Sequence, residues 1–305
     1  MSAPPAMRQP APRSALRRLV ARHPVAAFLV MAYTFICIVA LPPVRAHTDI
    51  LPFDKPFWES LSSIFGVALP AFLVVAAAQG RAGVRDLARR SLRWRVGLRW
   101  YLVALFGVPV ATVVCASVIF GLAPLNALVE KWQLLFTVVL PLLLLSIVLF
   151  NLAEEIGFMG FLQASLQDSH GPLKASLIVT VPFALWHLPS LMVDSGLGLA
   201  QLHVALGFLG ILAILQMFAR IVMMWLYNAT GYSVLLVGLF HSSFNATTAQ
   251  NGFAGEFLPE PASTGLLIPS AIVAVAAVLI VVLTKGRLAY TPERTPRPAV
   301  AAPYQ

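Results

Sequence analysis

Six ionisable or histidine side chains stand well inside the apolar stretches of this sequence: Glu154, Glu155, His187, His203, Arg220 and His241. A carboxylate at the centre of a membrane helix costs on the order of 3 kcal/mol on insertion scales. Two adjacent ones therefore require either a cation on another helix or a catalytic, ion-handling or proton-handling task. On a helix Glu154 and Glu155 point about 100° apart, so one can face the bundle interior while the other braces against a neighbour. His187 closes the run Phe183–Ala184–Leu185–Trp186–His187, and His241 and Asn245 are spaced i, i+4 on one helix face. A carboxylate and an imidazole can deprotonate a water, and a further imidazole and amide can stabilise an oxyanion. Glu154, His187 and His241 are also a two-His, one-carboxylate set of the kind that holds a divalent metal such as zinc with a position left for water. No H-E-x-x-H helix is present. Spacing alone leaves a hydrolase and an ion pathway both open.

The elements that must position these groups are membrane helices. The chain has 305 residues, of which 59% are hydrophobic and 11% charged, with a mean hydropathy of +0.84. A soluble domain carries about 25% charged residues, so most of this surface is expected to face lipid. A crossing needs about 20 apolar residues. The sequence predicts eight spans, near 24–43, 57–79, 101–121, 134–165, 173–191, 199–227, 232–250 and 265–284. The fourth exceeds one crossing, and Pro141 is a candidate start for its true helix, with an interfacial piece before it. Asn228–Ala229–Thr230–Gly231 supplies the break between the sixth and seventh. The first span reads as retained, because Leu41–Pro42–Pro43 is not a small-residue cleavage site.

The expected fold is therefore all-α and polytopic, with both termini cytoplasmic. Placing the N-terminus inside puts eighteen Lys and Arg on the inner side and only Arg45, Lys55 and Lys131 outside, a strong positive-inside asymmetry. The organisation reads as a basic disordered tail over 1–20 and N-terminal helices over 21–133 with a basic loop at 80–100. A core follows over 134–250, then a last helix within 251–290 and a disordered tail over 291–305. The net charge of +9 lies in short stretches flanking the spans, which points to anionic lipid headgroups at the cytoplasmic face and not to nucleic acid. The Ala- and Arg-rich composition points to a bacterial plasma membrane.

At the polar residues the chain resembles the CAAX protease and bacteriocin-processing (CPBP, or Abi) family of intramembrane proteases. Three motifs occur in order over roughly 134–250: Glu154–Glu155–Ile156–Gly157–Phe158–Met159–Gly160, then Phe183 with His187, then His241 with Asn245. Trp225–Leu226–Tyr227–Asn228–Ala229–Thr230–Gly231 is similar to the family's lead-in to the third. The resemblance implies cleavage of a membrane peptide or lipidated protein, historically classed as metal-dependent. By analogy Glu154 and His187 activate water, while His241 and Asn245 hold the oxyanion or, in the metal version, help Glu154 and His187 bind the ion.

The chain departs from the family at Met159, where the first motif normally carries Arg. That position is i+4 from Glu155. Without it Glu155 is expected to favour its neutral form unless Arg220, on the sixth span, pairs with it instead. The other reading of Arg220 is that it snorkels to the cytoplasmic headgroups. Met159 also admits a competing class: a catalytically weakened or inactive membrane scaffold, immunity factor or transport accessory on the same fold.

The remaining candidates read as structural. His203 is an interfacial packing residue, and Trp58, Trp100 and Tyr101 fit interface belts. Trp186 either shapes the site or packs. Cys37 and Cys115 are small buried hydrophobes. Residues 81–99, with Trp94, Val96 and Leu98 among the arginines, predict a short amphipathic helix on the inner leaflet.

Overall fold

The computed structural model describes residues 14–40, 60–194, 196 and 198–292. Of the predicted tails over 1–20 and 291–305, residues 1–13 and 293–305 lie outside the described residues, as do Arg45, Lys55 and Trp58. Residues 15–20, expected to be disordered, belong instead to a helix capped by Ser14. The fold is all-α and polytopic, with no strand among the described residues. In chain order the helices are α1 (Ala15–Arg22), α2 (Pro24–Ala40), α3 (Ser60–Ser91), α4 (Leu98–Phe120), α5 (Ala123–Glu130), α6 (Leu135–His170), α7 (Pro172–Met192), α8 (Leu202–Ala229), α9 (Val234–Thr248), α10 (Phe253–Phe257) and α11 (Pro261–Thr284).

Six of these helices are long and apolar enough to cross a membrane, and the bent pair α1–α2 makes a seventh if counted as one span. The predicted span 232–250 appears as α9, with 15 residues. At 1.5 Å per residue it is about 22 Å long, short of the roughly 30 Å hydrocarbon core. It is also buried on nearly every side, so protein and not lipid surrounds it. Large apolar side chains instead face outward on the surrounding helices, as Val118 and Leu283 do, because their backbone polar groups are satisfied internally and lipid accepts the side chains.

Pro141 does not start the fourth span. Helix α6 already begins at Leu135 and runs unbroken for 36 residues. The turn ahead of the proline is widened, with Leu140 N–H donating to the Leu135 carbonyl, which accommodates a ring that would collide with a regular turn. Two further widened turns, Ile147–Asn151 and Ile156–Gln163, flank the short regular stretch Leu152–Glu155. Such π-type turns recur at functional sites.

Two large apolar clusters build most of the interior. One joins α4, α8, α9 and α11 around Met223, Tyr227 and Val237. The other joins α2, α3, α6 and α7 around Phe28, Phe158 and Phe183. A smaller third one joins α4, α10 and α11 around Phe257. Gly238 lets α9 close on α6: a Cβ there would lie 2.8 Å from Ile147 Cδ1 and 3.4 Å from Leu152 Cα.

Several basic segments meet at one end of the bundle. Ser233 Oγ donates to the Arg93 carbonyl (2.6 Å), Asn228 Nδ2 to the Leu288 carbonyl (3.1 Å) and Tyr290 Oη to Asp168 (2.7 Å). At the opposite end Lys131 Nζ donates to the Glu256 carbonyl at 3.3 Å. The predicted break after α8 is present, with Gly231 and Tyr232 both at positive φ (66° and 74°).

Candidate active site

Glu155 is fully buried where α6, α8 and α9 meet. The Arg220 guanidinium grips it with both ends: Nη1 donates to Oε2 at 2.7 Å and Nη2 to Oε1 at 2.9 Å. His241 Nδ1 lies 2.9 Å from the same Oε1. A carboxylate oxygen only accepts, so the imidazole carries its proton on Nδ1. Taking either charge out of water costs several kcal/mol, and two-pronged geometry is what offsets that cost. Arg220 is fully buried as well, its guanidinium carbon 4.0 Å from the centre of the Phe183 ring and 5.9 Å from that of Phe158. Phe183 thus presents its face to a cation in a dry setting, where such contacts are strongest.

These contacts decide between the two readings of Arg220 in favour of its pairing with Glu155. Glu155 is not left to neutralise itself for lack of an arginine one turn away, because the arginine arrives from α8, 65 positions along the chain. Arg220 does not snorkel, since its side chain has no exposure at all. Met159 lies wholly buried among apolar neighbours, a setting that would isolate a charge.

Glu154 is held differently. It is buried too, with one contact from α3, Ser63 Oγ donating to Oε1 at 3.1 Å. The His187 ring lies within electrostatic range of Glu154, His241 and Arg220. His187 Nδ1 donates to the Phe183 carbonyl at 2.8 Å, because a carbonyl only accepts, and this leaves Nε2 with a free lone pair. His187 also packs on Phe183 (ring centres 4.7 Å apart) and edge-on to Trp186 (5.0 Å).

Asn245 enters through a residue that sequence reasoning missed. Its Nδ2 donates to Asn151 Oδ1 at 3.4 Å, and Asn151 Nδ2 donates to Ser242 Oγ at 3.0 Å. Asn151 is one helical turn before Glu154 and Glu155, and the signal for it was an amide in an otherwise apolar run. Ser63 was missed for the opposite reason, since a serine in a span is common and carries no such penalty.

The structure therefore brings Glu154, Glu155, His187, Arg220, His241, Asn245 and Phe183 into one neighbourhood. His203 is exposed at the start of α8. Cys37 and Cys115 are unbridged. Cys37 faces outward on α2, correcting its predicted burial: a thiol is apolar enough for a lipid-facing position. A cavity of about 40 Å³, room for two or three waters, is lined by Asp86, Arg90, Gly160, Gln167 and Tyr227; it touches the first motif at Gly160 but includes none of Glu154, Glu155, His187, Arg220, His241 and Asn245.

The ligand set implied for a metal does not close in this geometry. Among the described residues no three His, Cys, Asp or Glu side chains converge tightly enough to hold an ion. His187 and His241 each have Nδ1 engaged, the orientation that metal-binding imidazoles also adopt, but Glu154 does not complete a triad with them.

Residues 136–247 match a family model described as Rce1-like, type II CAAX prenyl endopeptidase. No curated protein matches the chain.

Proposed function

From the premise that the stretch 136–247 belongs to the Rce1-like CAAX prenyl endopeptidase family, we propose that this integral membrane protein is an intramembrane endopeptidase. Its substrate is a membrane-associated peptide or a lipid-modified protein, and its setting a bacterial plasma membrane with the basic end of the bundle in the cytoplasm. One observation carries the reading: of two adjacent buried carboxylates, Glu155 is saturated by Arg220 and His241, whereas Glu154 has, among the described residues, only a serine hydrogen bond and lies near an imidazole with a free Nε2. Two like groups in unlike surroundings are the usual division between a structural acid and a working one.

In the proposed reaction Glu154 and His187 share the proton taken from a water, whose oxygen adds to the scissile carbonyl carbon. Negative charge collects on the carbonyl oxygen, and Asn245 Nδ2 donates to it. His241 can donate from Nε2 only as an imidazolium, since its neutral form spends its proton on Glu155; the Glu155 carboxylate stabilises that cation. Collapse of the tetrahedral species breaks the C–N bond, and the proton held by Glu154 and His187 passes to the leaving amine. A preorganised, water-poor site makes such donors more effective than they are in solvent. Metal dependence is a separate property, decided by chelation.

The competing scaffold reading drew its support from Met159. Arg220 takes over the electrostatic duty of the missing arginine, which removes that reason. The test is cleavage of peptides, prenylated CAAX-type peptides among them, by purified protein in lipid discs, with products read by mass spectrometry. Products are expected from the unaltered chain and lost in Glu154→Gln and His187→Ala. Equal product from those variants, or none from the unaltered chain, defeats the proposal.

A further inference from the structure

Helix α3 is broken at Gly80, which takes φ 68° and ψ −157°. A second helix, 81–91, starts there. The break frees carbonyls of the preceding turn, and one of them, that of Ala77, accepts from Arg17 Nε of α1 at 3.1 Å. Helix α1 bends from α2 by 102° and packs along α3, so it runs across the end of the bundle instead of through it. Its N-cap is Ser14, whose Oγ accepts from Arg17 N.

Both elements expose arginine: Arg17, Arg18 and Arg22 on α1, and Arg81, Arg85 and Arg89 on 81–91, the last three spaced one turn apart on one face. The single acidic residue within 14–40 and 60–100 is Asp86, tied to Arg90 at 2.8 Å. Apolar side chains stand exposed among these cations: Leu16 at 70%, Leu19 at 60% and, just beyond, Leu92 at 65% and Trp94 at 61%. A partner in water would match the charge and leave those residues wet. The headgroup boundary of a bilayer matches both.

We infer that α1 and the 81–91 helix form a docking platform for anionic phospholipid headgroups. It is distinct from the proposed peptidase site, and its existence does not depend on that activity. The platform is also wired into the bundle. Arg90, on the inward side of 81–91, donates from Nη1 to the Gly160 carbonyl at 2.7 Å and to Tyr227 Oη at 2.6 Å. Headgroups bound outside thus stiffen the contact between α3, the widened segment of α6 and α8.

The experiment uses the full chain in neutral detergent micelles, its thermal unfolding followed while phosphatidylglycerol or phosphatidylcholine is titrated in. Phosphatidylglycerol raises the midpoint and phosphatidylcholine does not. In the triple variant Arg81→Gln/Arg85→Gln/Arg89→Gln the phosphatidylglycerol needed for half the effect rises roughly a hundredfold, whereas the corresponding triple lysine variant stays within a few-fold of the unaltered chain. Equal stabilisation by both lipids, or an unchanged response in the glutamine variant, overturns the inference. So does stronger protection by a soluble polyglutamate peptide, which would make the partner an acidic polypeptide. Should the glutamine variant fail to fold, lipids co-purified with the unaltered chain from membranes of known composition decide the matter. Enrichment in phosphatidylglycerol supports the platform, and bulk proportions refute it.

Discussion

Arg220 and Glu155, 65 positions apart, meet through two hydrogen bonds of 2.7 and 2.9 Å with neither side chain exposed. The pair joins α8 to the carboxylate-bearing helix α6, and His241 adds α9 through the same carboxylate. A positive charge for Glu155 is thus present in a chain that has a methionine where the family it resembles carries an arginine.

Breaking this pair from one side strands a buried charge. Arg220→Met and Glu155→Gln are each expected to cost about 3–5 kcal/mol. The double variant should be less damaged than the sum of the two, with a coupling of about 2 kcal/mol or more. Thermal or denaturant unfolding in micelles measures this, and simple additivity would falsify the coupling.

Returning arginine to position 159 tests the same relationship from the other direction. Met159→Arg alone buries a second cation beside a carboxylate already saturated, and a loss of several kcal/mol is expected. Combined with Arg220→Met, the new arginine has a free carboxylate one turn away, and the loss should shrink. If the combination is no better than Met159→Arg by itself, residue 159 does not reach Glu155.

The two adjacent glutamates should separate function from stability. Glu154→Gln is expected to lower kcat by about 10²- to 10⁴-fold, the range of general acid–base contributions, with an unfolding midpoint close to that of the unaltered chain. Glu155→Gln should lower the midpoint as well. Matching midpoints and matching kcat values for the two variants would erase the proposed division of labour.

Asn151 is expected to act through Asn245. In Asn151→Leu the Asn245 amide loses its partner on α6, and kcat should fall about 10- to 100-fold with KM little changed, because the loss is confined to an oxyanion donor. A change in KM alone would place Asn151 in substrate binding.

Chelation addresses the metal. As Glu154, His187 and His241 do not close into a ligand triad, activity is expected to survive exhaustive dialysis against a strong chelator. Loss of activity restored by zinc would show that the three side chains rearrange around an ion.

Much of the architecture was legible because lipid imposes harsh local rules. Apolar runs long enough to cross had to be helices, and the predicted runs recur as α2 to α4, α6 to α8 and α11 with most ends shifted by a few residues, α3 alone continuing past its predicted end into the segment 81–91 beyond the break at Gly80. Helix α9 was the exception: its composition is that of a span, but whether an apolar helix faces lipid or protein depends on its neighbours. Glu154, Glu155, His187 and His241 were equally legible, since their burial in apolar surroundings is costly enough to need a reason.

What the amino-acid order determined by itself, then, was which segments are helices and which polar residues had to be accounted for inside them. Which groups meet was decided by the tertiary structure. Both readings of Arg220 were compatible with its place in the sixth span, and the widened turns of α6 shift its faces in a way that a regular helical period does not anticipate. The physical reason is that a helix apolar on all sides carries no local record of its rotation. That rotation is set by packing contacts such as Gly238 against α6, and only after packing does a carboxylate find its arginine on another helix.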